Sequence, residues 1–94
     1  MSEWTWEYDP DADHVVGGEG DGANLSPEDR AEAEKIAQEL ADAASVRYLG
    51  PPTQDEPAVS RLKSYARGLL IVWYQEDRRD DVIVVVRVTA PWSR

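Results

Sequence analysis

The stretch Leu69–Thr89, LLIVWYQEDRRDDVIVVVRVT, decides the fold. Its first six residues, Leu69 to Tyr74, are apolar at every position, which predicts a strand buried on both faces. Its last eight, Val82 to Thr89, place Val82, Val84, Val86 and Val88 on one side. Ile83, Val85, Arg87 and Thr89 fall on the other, because side chains alternate along a strand. Between them Glu76-Asp77-Arg78-Arg79-Asp80-Asp81 reads as a solvated, charged hairpin turn. Two strands and a short connection make an antiparallel pair.

Upstream, Val59 to Ala66 alternates weakly, with Arg61, Lys63 and Tyr65 on one side and Leu62, Ser64 and Ala66 on the other. A strand is the reading taken, although Val59, Leu62 and Ala66 also fit a helical period. Val46 to Leu49 reads as a short extended piece closed by Gly50-Pro51-Pro52.

Ser26-Pro27-Glu28-Asp29 is a helix start: a hydroxyl cap, proline at the first helical position, and acids complementing the dipole. Ala33, Ile36, Ala37, Leu40, Ala41 and Ala44 follow at helical spacing, with charged residues between. The predicted helix runs from Pro27 to Ala44, its thin alanine stripe suited to lying close on a sheet. Glu3 to Tyr8 alternates strictly, Trp4, Trp6 and Tyr8 against Glu3, Thr5 and Glu7, which predicts a half-buried opening strand. Asp9-Pro10 ends it. The acidic, glycine-rich segment over about 9–25 reads as a flexible loop in which Asp11 to Val16 could form one turn.

The sum is one domain over residues 1–94, within the usual domain size. Its class is α+β, an antiparallel sheet of about four strands with one main helix on one face, in the order β-α-β-β-β. The valine face of the last strand is the expected partner of the helix, leaving Arg87 on the open face. The tryptophans Trp4, Trp6 and Trp73 are expected in the core.

Charge sharpens the function classes. The chain carries a formal net charge of −9, which argues against a nucleic-acid binder. That charge is unevenly placed, however. Residues 1–45 hold 13 acids and two bases, whereas residues 46–94 hold eight bases and six acids. With no cysteine, disulfides, thiolate metal sites and a cysteine nucleophile are excluded. No apolar run reaches the roughly 18 residues needed to span a bilayer, and no signal peptide is apparent. A cytoplasmic protein without membrane contact is the expectation.

Candidate sites follow from the basic half. Arg61, Lys63, Tyr65 and Arg67, joined by Arg87 from a neighbouring strand, could grip a phosphate or carboxylate. Tyr65 could stack on a base. The competing reading is a solvated strand face. Arg87, set within a valine run, should either pair with Glu3 or Glu7 or line a ligand site. Asp9, Asp11 and Asp13 open like a calcium loop, but His14 and Gly20 stand where that loop needs Gly and Glu. His14 lacks a nucleophilic partner, and the run Gly17 to Gly22 lacks the ending of a phosphate loop. No metal and no cofactor is expected.

The layout resembles the RelE/ParE superfamily of toxin–antitoxin toxins. The resemblance rests on Trp4-Thr5-Trp6-Glu7-Tyr8-Asp9-Pro10-Asp11-Ala12, the helix over 28–44, Arg61-Leu62-Lys63, the strand from Leu69 to Tyr74, and the closing strand from Val82 to Val88. It implies a toxin of a type II system, RNA-directed, and an mRNA endonuclease if active. It also implies a cognate antitoxin and RNA or the ribosome as partners. Family members carry an arginine where Leu69 to Tyr74 has no cation, and nucleases often close with His, Arg or Tyr where Thr89-Ala90-Pro91-Trp92 stands here. Weak or lost nuclease activity is therefore expected. A non-catalytic protein-interaction module is the alternative.

Overall fold

A computed structural model describes residues 4–16, 25–48, 57–68 and 70–89. The chain order is β1 (Thr5–Tyr8), α1 (Ala12–Val15), α2 (Pro27–Arg47), β2 (Lys63–Arg67), β3 (Leu70–Asp77) and β4 (Val82–Thr89). The strands form a single four-stranded sheet ordered β1-β4-β3-β2. The class is α+β, one main helix packed on a sheet.

The sheet is mixed, whereas an antiparallel one was expected. β2–β3 and β3–β4 pair antiparallel, but β1 runs parallel to β4, with Trp6 opposite Ile83 and Tyr8 opposite Val85. Counting reversals gives the reason. The crossover through α2 returns β2 in the direction of β1, and two hairpin reversals then bring β4 back to that direction. Closure of β4 on β1 is thus necessarily parallel.

The capping signal at Ser26 works as its residue types dictate. Its Oγ accepts from the Asp29 backbone N–H at 3.1 Å, with Pro27 in the first turn. Ala33, Ile36, Ala37, Ala41 and Ala44 are buried, and Leu40 packs against them half-buried. The helix extends one turn beyond the predicted end. Val46 and Arg47 are helical rather than extended, and the Tyr48 N–H donates to the Ala44 carbonyl at 2.8 Å. Val46 is 74% exposed and is carried in the last turn without burying its side chain, while Arg47 is anchored by a contact described below. In the acidic N-terminal segment, α1 forms the single turn and sends Val15 and Val16 into the core. Residues 17–24 of that segment, and Trp92, lie outside the described residues.

The inner sheet face presents Leu70, Val72 and Tyr74 from β3, with Ile83, Val85 and Val88 from β4. The expected valine face is therefore corrected. Trp73 pairs with Arg87 but Tyr74 pairs with Val85, so Val86 is an extra residue at a bulge. The extra residue switches the parity, sending Ile83 and Val85 inward before it and Val88 inward after it. Arg87 stays on the open face, as expected. Trp4 is buried and stacks on Tyr48 with ring centroids 5.6 Å apart, and Trp6 is half-buried. Trp73 is not in the core: its register partners Ser64 and Arg87 place it half-buried on the open face.

β2 is shorter than the predicted 59–66 span. Val59 makes only an isolated bridge to Asp77, and the ladder begins at Lys63. At the other end β2 turns into β3 through Gly68, whose φ of +60° favours glycine.

Candidate functional site

β3 runs to Asp77, three residues beyond Tyr74, and this carries Glu76 out of the predicted turn and into the sheet. The turn itself is confined to 78–81. Alternation puts Glu76 on the inner face after Leu70, Val72 and Tyr74, and the residue is only 2% exposed. A buried carboxylate needs partners, and three converge on it. Arg47 Nη1, at the end of α2, donates to Oε2 at 2.6 Å. Tyr48 OH donates to Oε1 at 2.9 Å, and Lys63 Nζ from β2 donates to the same oxygen at 2.8 Å. Its backbone is held as well: the Glu76 N–H donates to Ser60 Oγ and the Ser60 N–H to the Glu76 carbonyl, both at 2.9 Å.

Burial pushes the Glu76 carboxyl up, but the hydrogen bonds from Lys63, Tyr48 and Arg47 outweigh it and hold it below its ordinary value of 4.5. Lys63 is pushed up, chiefly by its hydrogen bond to Glu76. Both groups are therefore charged near neutrality, and the carboxylate is a poor proton acceptor. The cluster is a clamp joining the end of α2 to β2 and β3. Beside it opens a half-open recess of about 110 Å³, lined by Tyr48, Pro57, Ser60, Lys63, Glu76 and Arg78. The Arg78 guanidinium lies 4.2 Å from the centroid of the Tyr48 ring.

The cations expected to form one anion-binding face are divided. Register places Lys63, Tyr65 and Arg67 on the helix-covered side, opposite Tyr74, Val72 and Leu70. Lys63 is held by Glu76. Arg67 reaches α2, its Nε 3.1 Å from Glu32 and its Nη1 donating to Glu39 at 3.0 Å. Tyr65 is 39% exposed with the Arg67 guanidinium 5.9 Å from its ring centroid. Arg61 is exposed ahead of β2 and makes no ion pair among the described residues. Arg87 is on the opposite face of the sheet and so does not join the others. It is exposed and also makes no ion pair among the described residues. Glu7, opposite Val84, shares its face without reaching it, and Glu3 lies outside the described residues.

Glu76, Arg47, Tyr48 and Ser60 were missed from sequence. One signal for Glu76 was present: the alternation Leu70, Val72, Tyr74 continues unbroken to position 76. In α1, Asp11 caps the turn, accepting from the His14 backbone N–H at 2.9 Å and lying 2.8 Å from His14 Nδ1, an exposed local contact. Among the described residues no group of three or more His, Asp or Glu is arranged to hold a metal, and no helix is long and apolar enough to cross a membrane. No protein-family model, no curated protein and no solved structure matches this chain.

Proposed function

We propose that this protein is a non-catalytic protein-interaction module built on a RelE/ParE-like layout, with the nuclease chemistry of that family lost. The observation that carries the reading is the engagement of the basic strand. Lys63 is bound to Glu76, and Arg67 to Glu32 and Glu39, so both cations are engaged by acids of the chain itself. RNA cleavage needs a base, an acid and cations at the phosphate. Glu76 is saturated by three donors and held ionised, and Lys63 is held charged, so neither exchanges a proton readily near neutrality.

The sheet face away from α2 supplies the interaction surface. Ile71, Trp73 and Val84 are half-buried there beside exposed Ala66 and Arg87. This mixture of aromatic, aliphatic and arginine side chains is the composition that protein interfaces favour.

The test is expression of the protein alone, with growth and mRNA integrity followed. Unimpaired growth and intact mRNA are expected. In the same cells, a photo-crosslinking residue at position 71 is expected to capture a discrete polypeptide that the same residue at position 35, on α2, does not. Rapid mRNA loss relieved by changing Arg61, Lys63 and Arg87 to alanine overturns the reading. It would support instead an RNA-directed toxin, the second reading, favoured by the exposure of Arg61 and Arg87 without ion pairs among the described residues.

A further inference from the structure

The open sheet face presents an acid and a base that do not meet each other. Glu7 on β1 and Arg87 on β4 both lie on the side away from α2, both are exposed, and neither makes an ion pair among the described residues. Register sets them on different rows: Glu7 lies opposite Val84, whereas Arg87 lies further along β4, opposite Trp73. Asp77, on the same side of β3, is taken by Arg79, whose Nε and Nη2 donate to it at 3.1 Å each. Among the described residues both helices pack on the other face, α1 through Val15 and Val16 and α2 through its alanine stripe.

A face that holds an acid and a base at separate positions is complementary to itself. Two copies stacked about a two-fold axis midway between these residues set Glu7 of each against Arg87 of the other, so two ion pairs form together. Val84 stands beside that axis, on the strand of Arg87 and the row of Glu7, and Ile71 and Trp73 extend the apolar contact on β3. The helix side opposes a copy of itself. Glu28, Glu34 and Asp42 are exposed along α2 in a chain of formal net charge −9, so a helix-to-helix contact brings like charges together.

Area sets the strength. The strands are 4, 5, 8 and 8 residues long. At about 3.4 Å by 4.8 Å per residue they present roughly 400 Å² of sheet. Two copies then cover about 800 Å², the size of weak and transient contacts.

We propose that the open face takes a second copy of this chain, in a weak two-fold dimer held by reciprocal Glu7–Arg87 ion pairs around Val84, Ile71 and Trp73. The proposal rests on the reading of that face as the interaction surface and names its occupant.

The test is sedimentation velocity of the full chain from low to high micromolar concentration, where the mass is expected to rise from one chain to two. Arg87→Glu and Glu7→Arg are each expected to weaken association at least about tenfold, because each sets like charges across the contact. Both residues are exposed, so both variants are expected to keep the parent's circular dichroism. An equimolar mixture of the two variants is expected to associate as tightly as the parent, since both ion pairs are rebuilt between unlike copies. Lys35→Glu makes the same charge change on α2 and is expected to leave association within about threefold of the parent, because salt screens charges away from the contact. A chain that stays monomeric throughout, or variants whose mixture fails to associate, overturns the proposal. Photo-crosslinking from position 71 separates that failure from failure of the interaction reading. Capture of a different polypeptide by a monomeric chain keeps the reading and overturns the second copy, whereas no capture overturns both.

Discussion

The two faces of this sheet use the same kinds of residue to opposite ends. On the face under α2, the cations Lys63 and Arg67 are bound to acids, and every large aliphatic residue of β3 and β4 is buried. On the open face, Arg87 is exposed without an ion pair among the described residues, and Ile71, Trp73 and Val84 remain half-buried. A cation's role here is set by which face its strand parity selects, and by what packs on that face. Arg87 and Lys63 look equivalent as letters in a basic half, yet one is part of the architecture and the other is surface.

The sharpest way to break this contrast is to truncate neighbours on β4. Ile83→Ala empties a fully buried site and is expected to cost about 3 kcal/mol, whereas Val84→Ala on the other face is expected to cost under about 1 kcal/mol. Urea denaturation of the pair measures the difference, and equal losses would show that the open face is covered. Next in size is Glu76→Gln, expected to cost about 2 kcal/mol by weakening charge-assisted hydrogen bonds. That value sits below the cost of breaking a wholly buried ion pair, because Arg47 and Lys63 are 49% and 40% exposed and regain water.

A smaller effect should appear on acidification. The Glu76 and Asp77 carboxyls are both held below their ordinary values of 4.5 and 3.8, Glu76 by hydrogen bonds that outweigh its burial and Asp77 by its hydrogen bond from Arg79. A group that binds its proton more weakly folded than unfolded contributes in full above its ordinary value, and loses that contribution as pH falls through the folded one. Stability should therefore fall below about pH 4.5, and less steeply in Glu76→Gln than in the parent. Denaturant titrations across that range check the slope. The smallest effect is expected from Arg87→Ala, within about 0.5 kcal/mol of the parent, since no ion pair among the described residues is lost.

Much of the fold was legible because its signals are local. Ser26-Pro27 with two following acids starts a helix wherever it occurs, and the Ala33 to Ala44 stripe declares its buried side. The runs from Leu70 and from Val82 are strands by composition alone. The candidate site was legible only in its parts: Lys63 and Arg67 were identified as cations on one face of a strand, but their acids come from Glu32, Glu39 and Glu76, at separations that no local spacing reveals. Glu76 was taken for turn because it opens the charged run of residues 76–81. The isolated bridge of Val59 to Asp77, and the hydrogen bonds of Ser60 with the Glu76 backbone, accompany the extension of β3 through it.

Residue order by itself therefore determined the main helix with its cap, the principal strand runs and the class of the fold, because hydrophobic period and capping act within a few residues. Only the tertiary structure decided that β1 closes on β4 in parallel, that the bulge at Val86 exchanges the faces of β4, and that the basic strand is neutralised from within. Those outcomes depend on strand order, on a single inserted residue in a ladder, and on carboxylates brought across 13 to 35 positions of chain. Each is a property of contacts between elements, which composition and periodicity do not encode.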